Sequence, residues 1–269
     1  MEMLQGSPWL LAHRSMLKPN QPMKVSLYGQ EYVMWQDSSG EVHGLPNACP
    51  HMGAMLSEGW CVAKSDGSST IACPFHALEF DQTGSTVLPS SNKLTKSLIK
   101  PLELIIQGDF IWSYGGLEPK IPIPTVLNEF AAEYEFAGVA GHRSIKTDLL
   151  TMPKVIEAHL ENYFPVLIIF HGESPLGTIK QCHIFVPESE TDTRTYVLVF
   201  GKFKNPVFRS MKNNILKLVE TVVEQDADIL SKLYPNTPQH IKLNNEVGMD
   251  WVRRNFESFP EIVEPNLTQ

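Results

Sequence analysis

Two stretches decide the fold of this chain: Cys49-Pro50-His51-Met52-Gly53 and Cys73-Pro74-Phe75-His76. Each offers one thiolate and one imidazole, as C-x-H and then C-x-x-H, and 21 residues separate His51 from Cys73. Two sulfurs and two nitrogens can hold a tetrahedral zinc ion, or an iron–sulfur cluster in which Cys binds one iron and His the other. A zinc finger pairs Cys with Cys and His with His, whereas each stretch here mixes the two. The mixing favours the cluster, with a structural zinc site as the alternative.

The residues around these ligands also favour an iron–sulfur cluster over a zinc ion. C-P-H-x-G followed by C-P-F-H resembles the Rieske [2Fe-2S] motif. The resemblance implies that Cys49 and Cys73 bind the inner iron and that His51 and His76 bind the outer iron. Imidazole donates less charge than thiolate, so the outer iron would accept the electron at a higher potential than in a four-Cys cluster. Phe75 stands where many family members have Tyr, and the loss of that hydroxyl donor should lower the potential.

Composition and charge exclude several classes of protein. The chain has 269 residues and a net charge of −8 without a basic run, which argues against nucleic acid as a partner. No apolar stretch reaches the ~18–20 residues that span a membrane, and Met1 to Ser7 lacks a signal-peptide pattern. We therefore expect a cytoplasmic protein with no membrane partner. Cys61 and Cys182 are left over, and we expect each to be a buried thiol.

A first domain is predicted over residues 1–118 and is expected to be all-β. Short alternating segments bounded by turn residues predict five strands, at Met23–Tyr28, Tyr32–Gln36, Val42–Leu45, Thr70–Ala72 and Phe110–Ser113. This spacing fits a small antiparallel sandwich or barrel. Phe80-Asp81-x-x-Gly84 and Ile111-Trp112-Ser113-Tyr114-Gly115-Gly116 extend the resemblance to the N-terminal domain of Rieske-type non-haem iron oxygenases.

A second domain is predicted over residues 119–269. It resembles a shortened catalytic domain of the same family, an α+β fold of the helix-grip (START-like) type. Periodicity predicts a helix from Lys154 to about Phe164, a buried strand from Val166 to Phe170 and a long helix from Pro206 to Leu233. The long helix is expected to bury one face, made of Ile215, Val219, Val222, Ile229 and Leu233, with Asp226 on the same face. A last short helix is expected from Asn245 to Phe256.

The catalytic helix of the family carries Glu-Asn-x-x-Asp-x-x-His and then a second His. The two His and a later carboxylate form the facial triad that leaves open positions on iron for O₂. Glu161-Asn162 matches the start of this pattern, but Pro165 and Ile168 fall where the Asp and the first His belong. The predicted catalytic site is therefore incomplete.

Two residues remain as candidate ligands of a mononuclear Fe(II), and they are His171 and Asp226. A carboxylate that faces a core needs a metal, a basic group or hydrogen-bond donors as a partner. Asp226 could therefore bind iron or form an internal ion pair. His159 and His183 are predicted to be packing or surface residues.

The resemblance implies an oxidoreductase that passes electrons from a ferredoxin or flavin reductase to O₂ activation on a small apolar substrate. It also implies a homotrimer in which electrons pass between subunits. The alternative is a Rieske electron-transfer or redox-sensing protein that has lost the mononuclear iron. A third hypothesis is a partner subunit whose second domain serves assembly.

Overall fold

A computed structural model describes residues 4–88, 93–149, 161–165, 167–174, 177–203, 210–233 and 247–262. Contacts between Cα atoms divide the chain into two units. The first domain is Trp9–Glu118, and the second is Pro119–Gln269 together with Met1–Pro8. The Lys120 N–H donates to the Gly6 carbonyl at 2.8 Å, which ties the N-terminal segment to the second domain. The sequence predicts that this segment belongs to the first domain, and its contacts place it with the second instead.

The first domain is built from short antiparallel strands. They are β1 (Trp9–His13), β2 (Met23–Leu27), β3 (Gln30–Gln36), β4 (Val42–Pro46), β5 (Trp60–Ala63), β6 (Ser69–Ala72), β7 (Glu79–Phe80), β8 (Val87–Leu88), β9 (Lys93–Leu94), β10 (Ile105–Gln107) and β11 (Phe110–Ser113). Their orders in the sheets are β1-β11-β10, β2-β3-β4, β5-β6-β7 and β8-β9. All five predicted strands are confirmed, with ends within two residues of the prediction.

Three turns of the first domain share one hydrogen-bond pattern. In each, an Asp Oδ1 accepts bonds from the backbone N–H and the hydroxyl of the Ser or Thr two positions later. The pairs are Asp37–Ser39, Asp66–Ser68 and Asp81–Thr83. The polar residues between the strands therefore close the turns locally, and the apolar residues of the strands are left to form the core.

The described part of the second domain contains five antiparallel strands and three helices. They are α1 (Val126–Glu133), β12 (Glu135–Ile145), β13 (Glu161–Tyr163), β14 (Leu167–Ser174), β15 (Gly177–Pro187), β16 (Thr193–Phe203), α2 (Lys212–Leu230) and α3 (Val247–Ser258). The strands form one sheet in the order β12-β16-β15-β14-β13. The predicted strand near 166–170 and both C-terminal helices are confirmed. The chain is thus a mixed α+β protein with an all-β first domain.

One predicted helix is wrong where the structure describes it. Residues 161–163 were expected to end a helix, but they form β13 and pair with Leu167–Ile169 of β14. The turn at Phe164-Pro165 brings these two segments together, and Pro165 has no N–H to continue a helix. The rest of that prediction, residues 154–160, lies outside the described residues.

The buried face of α2 differs from the prediction. Val219, Val223, Ala227 and Leu230 are buried, whereas Val222, Ile229 and Leu233 are exposed. Two glycines of β12 explain the rotation, because they let the helix approach closely. A Cβ at Gly138 would lie 2.7 Å from Leu216, and one at Gly141 would lie 2.7 Å from Val223. No helix in the described part of the chain has the length and hydropathy to cross a membrane.

Candidate metal centre

The first ligand loop runs from Cys49 to Ala54 and is closed by its own backbone. The Cys49 N–H donates to the Ala54 carbonyl at 2.8 Å, and the Gly53 N–H donates to the Cys49 carbonyl at 2.8 Å. Gly53 has φ +75°, a left-handed conformation that suits glycine. The loop thus returns on itself and presents Pro50, His51 and Met52 at its tip.

The second ligand loop, Cys73 to Leu78, repeats this arrangement. The Cys73 N–H donates to the Leu78 carbonyl at 2.9 Å, and the Ala77 N–H donates to the Cys73 carbonyl at 3.0 Å. Ala77 occupies the position of Gly53 and adopts φ +56°, which costs an L-residue free energy. The two loops are therefore equivalent, although their histidines stand two and three residues after the cysteine.

The thiols and the imidazoles of these loops lie in different environments. Cys49 and Cys73 are only 3% and 1% exposed. They belong to an apolar core that also contains Val33, Trp35, Leu45, Leu56, Ile71 and Phe80. His51 and His76 are exposed. A group held by all four residues would be buried on its sulfur side and open to solvent on its nitrogen side.

The four candidate ligands approach one another as two pairs. Cys73 is close enough to Cys49 to influence the ionisation of its thiol, and the ring centroids of His51 and His76 are 4.8 Å apart. No three of the four ligand atoms lie within 4.8 Å of one another, since the one such group among the described residues is elsewhere. The four residues thus form a buried thiol pair and an exposed imidazole pair.

Burial also affects the chemistry of the cysteines. Desolvation raises the pKa of the Cys49 thiol, and the neighbouring Cys73 raises it further. Metal binding must displace these protons, so assembly of the site is coupled to pH. Cys61 packs against the same core, and desolvation raises the pKa of its thiol to about 11. Cys61 therefore stays a protonated, half-buried thiol, and Cys182 is fully buried.

An aromatic side chain contacts one of the exposed imidazoles. The ring of Phe75 stacks on His76 with centroids 3.9 Å apart. Phe75, Met52, Met55 and Trp60 are all large and exposed. Phe75 therefore matters for more than the hydroxyl that it lacks, because its ring covers one side of a candidate ligand.

The candidate iron ligands of the second domain are not brought together. His171 of β14 pairs with Lys180 of β15, which pairs with Phe200 of β16, so these three side chains share one face of the sheet. That face carries α1, because Phe200 and Lys180 both contact the ring of Phe130. His171 thus lies on the α1 face.

Asp226 lies on the opposite side. Val197 and Val199 of β16 pack against Val219 and Val223 of α2, and they alternate with Phe200 along the strand. Asp226 of α2 is half-buried, and burial raises the pKa of its carboxyl. The prediction that His171 and Asp226 share an iron is therefore not supported by this geometry, because the sheet separates them.

The described histidine on the α2 face of the sheet is His183, which pairs with Val197 in register. Its ring lies 4.6 Å from the ring of Phe170, and burial lowers its pKa to about 4. A neutral imidazole packed on an aromatic ring agrees with the predicted packing role. His159 lies outside the described residues.

The one group of three potential ligands within 4.8 Å among the described residues is Asp37, Glu41 and His43. Asp37 is fully used by the turn: Oδ1 accepts from the N–H groups of Ser39 and Glu41, and Oδ2 contacts His43 Nε2 at 2.9 Å. Burial alone would raise the pKa of Asp37, and the bonds from His43 and Ser39 lower it instead. These contacts explain why the three side chains lie together: they stabilise the β3–β4 hairpin.

Comparison with known proteins identifies both domains. Residues 7–98 match the Rieske [2Fe-2S] domain, and residues 156–251 match the vanillate O-demethylase oxygenase C-terminal domain. The chain is 30% identical to a cholesterol 7-desaturase of Ciona intestinalis, over 90% of this chain and 56% of that protein. It is 26% identical to a 4beta-methylsterol monooxygenase of Methylococcus capsulatus, over 46% of this chain and 35% of that protein.

Solved structures share the fold. A dicamba monooxygenase superposes with a TM-score of 0.73 at 16% identity, covering 96% of this chain and 97% of that one. NdmB of Pseudomonas putida superposes with a TM-score of 0.68 at 14% identity, covering 95% and 90%. The chain spans about half of the length of the cholesterol 7-desaturase and about a third of the length of the 4beta-methylsterol monooxygenase. The chain therefore carries a Rieske [2Fe-2S] domain followed by a vanillate O-demethylase oxygenase C-terminal domain, and in this it is similar to the Rieske-type non-haem iron oxygenases.

Proposed function

We propose that Cys49, Cys73, His51 and His76 hold the [2Fe-2S] cluster of the Rieske domain and that the chain uses it in the oxidation of an apolar substrate. The observation that supports this most is the separation of the ligands into a buried thiol pair and an exposed imidazole pair. When bound, the cluster supplies a one-electron redox centre. The cysteines would anchor it in the dry core, and the histidines would hold its solvent-facing side.

Electrons would enter through the histidine side, since the thiol side is enclosed by core residues. A ferredoxin or a flavin reductase is the donor that we propose. Its docking surface would have to accommodate Met52 and Phe75, which are exposed and stand next to the two histidines in the chain. A homotrimer that passes electrons between subunits is part of the same proposal.

An apolar substrate is supported by two observations. Leu218, Val222 and Ile229 expose a row of aliphatic side chains along α2, beside the half-buried Asp226. Several relatives are named for sterols or steroids, among them the cholesterol 7-desaturase, the 4beta-methylsterol monooxygenase and a 3-ketosteroid-9-alpha-monooxygenase of Rhodococcus rhodochrous. We propose a polycyclic apolar substrate of this general kind.

The second candidate function is electron transfer without substrate oxidation. It is favoured by the position of His171 and Asp226 on opposite sides of the second-domain sheet. A mononuclear iron would need a different set of ligands, and the described residues of the second domain contain no cluster of three.

The two functions differ in how the reduced protein reacts with O₂. Holoprotein reduced with dithionite and freed of excess reductant would be mixed with aerated buffer, with and without cholesterol in detergent. Faster reoxidation of the visible absorbance with cholesterol, together with an oxidised sterol in the extract, is the expected result. Reoxidation at the same rate with no product, and iron equal to acid-labile sulfide, would establish the electron-transfer function instead.

A further inference from the structure

A second exposed feature of the first domain lies outside the ligand loops. We define the basic arm as β8 (Val87–Leu88), β9 (Lys93–Leu94) and the segment 95–100 that follows. Its base is fixed: the Thr95 N–H donates to the Thr86 carbonyl at 2.8 Å, and the Leu98 N–H donates to the Gly84 carbonyl at 2.9 Å. A Cβ at Gly84 would lie 2.0 Å from the Ile99 carbonyl oxygen, so the two segments are in close contact there.

The basic arm exposes aliphatic side chains that a core would normally hide. Val87, Leu88, Leu94 and Leu98 are 49%, 40%, 65% and 50% exposed. Val87 and Leu94 are direct cross-strand partners, so their side chains share one face of the hairpin. Single exposed apolar residues are ordinary, but four on one short hairpin and its continuation indicate a binding surface.

The charge of the basic arm is opposite to that of the protein. Lys93, Lys96 and Lys100 lie in the sequence Lys-Leu-Thr-Lys-Ser-Leu-Ile-Lys, and no Asp or Glu occurs between Asp81 and Glu103. The whole chain carries −8. Lys96 and Lys100 are exposed. The partner of this surface is therefore expected to be anionic and apolar.

We propose that the basic arm attaches the protein to the surface of an anionic lipid bilayer. Aliphatic side chains interleaved with lysines suit a bilayer, because leucine and valine enter the acyl boundary while the lysine stems extend to the headgroups. Protein interfaces favour Trp, Tyr and Arg as energetic anchors, and the sequence from 87 to 100 has none of them. The expectation of no membrane partner rested on the lack of a spanning segment, and surface attachment does not need one.

The test is co-sedimentation of the purified full chain, with its cluster, on phosphatidylcholine vesicles with and without phosphatidylglycerol. We expect binding that needs phosphatidylglycerol and weakens with salt. Leu94→Ser should lower the partition coefficient roughly tenfold, since it removes an aliphatic anchor. Lys96→Gln should lower it about fivefold through the loss of one charge near the anionic surface.

Two matched controls lie in the same domain outside the basic arm. Ile106 and Lys18 are both exposed, so Ile106→Ser and Lys18→Gln repeat the chemical changes elsewhere. Both should bind vesicles like the unmodified protein. Equal losses in controls and arm variants, or no binding of the unmodified protein, would overturn the proposal. An arm variant that changes only the sedimentation coefficient would also overturn the proposal, because that result would indicate a contact between copies of the chain. An arm variant that changes only the KM for the electron donor would overturn it as well.

Discussion

The candidate metal residues of the two domains are organised in opposite ways. In the first domain each cysteine–histidine pair lies within a loop of six residues whose backbone bonds begin and end in that loop. In the second domain His171 is on a strand and Asp226 is on a helix, and the sheet lies between them. A local loop fixes its ligands by short-range geometry. A site made from distant elements depends on strand register and helix rotation, and one changed contact can separate its ligands.

The largest effect is expected from the loss of a thiol in the first domain. Cys73→Ser should abolish the visible absorbance and the reduced-state EPR signal, because a serine hydroxyl does not replace a buried thiolate ligand. Cys61→Ser is the matched control, since Cys61 packs on the same core with a protonated thiol. A cluster that survives Cys73→Ser, or is lost equally with Cys61→Ser, would contradict the ligand assignment.

The next effect tests the packing that separates the second-domain residues. Gly141→Ala should lower the free energy of unfolding by about 3 kcal/mol, because Gly141 has φ +61° and its new Cβ would lie 2.7 Å from Val223. Gly116→Ala is the control: it has φ +75° and no atom within 4 Å, so about 1 kcal/mol is expected. Urea unfolding measures both. Equal losses of unfolding free energy in the two variants would mean that α2 does not pack closely against β12.

A smaller effect tests the equivalence of the ligand loops. Ala77→Gly should raise the free energy of unfolding by about 1 kcal/mol, because Ala77 holds the left-handed conformation that Gly53 holds in the first loop. Gly53→Ala should cost a similar amount. Thermal melts of the first-domain transition, followed by cluster absorbance, compare the two. Stabilisation by both changes, or by neither, would break the equivalence.

The smallest effect on metal content is expected at Asp226. Asp226→Asn should leave iron per chain unchanged, because His171 lies on the other face of the sheet. Burial raises the pKa of Asp226, so the folded state binds more protons than the unfolded state, and stability falls as the pH rises above the ordinary carboxyl pKa. The Asn variant should therefore be more stable at neutral pH.

His171→Ala is the companion variant and should likewise keep the iron content. If either variant contained less iron per chain but the same amount of acid-labile sulfide, His171 and Asp226 would have to be ligands of a mononuclear iron. That result would show that the sheet does not separate them in the working protein.

The sequence predicted most of the first domain because its signals are local. Turn residues such as Asp37 and Asp81 close hairpins within a few positions, and the ligand spacing lies inside two loops. The pairing of loops could also have been found by aligning Gly53 with Ala77. In the second domain, hydrophobic periodicity located α2 but not its rotation, which is set by Gly138 and Gly141, about eighty residues earlier in the chain. Periodicity likewise misassigned Glu161–Tyr163, because strand pairing with β14 outweighed helix pattern.

The most direct test of the four cluster ligands is pulsed EPR on the dithionite-reduced protein, grown with ¹⁵N-labelled histidine. We expect a paramagnetic [2Fe-2S] signal with two histidine nitrogens coupled to the reducible iron, from His51 and His76. We also expect His76→Ala to lose this signal. An EPR-silent protein that contains zinc, or a cluster signal without histidine coupling, would contradict the assignment of buried thiols to one iron and exposed imidazoles to the other.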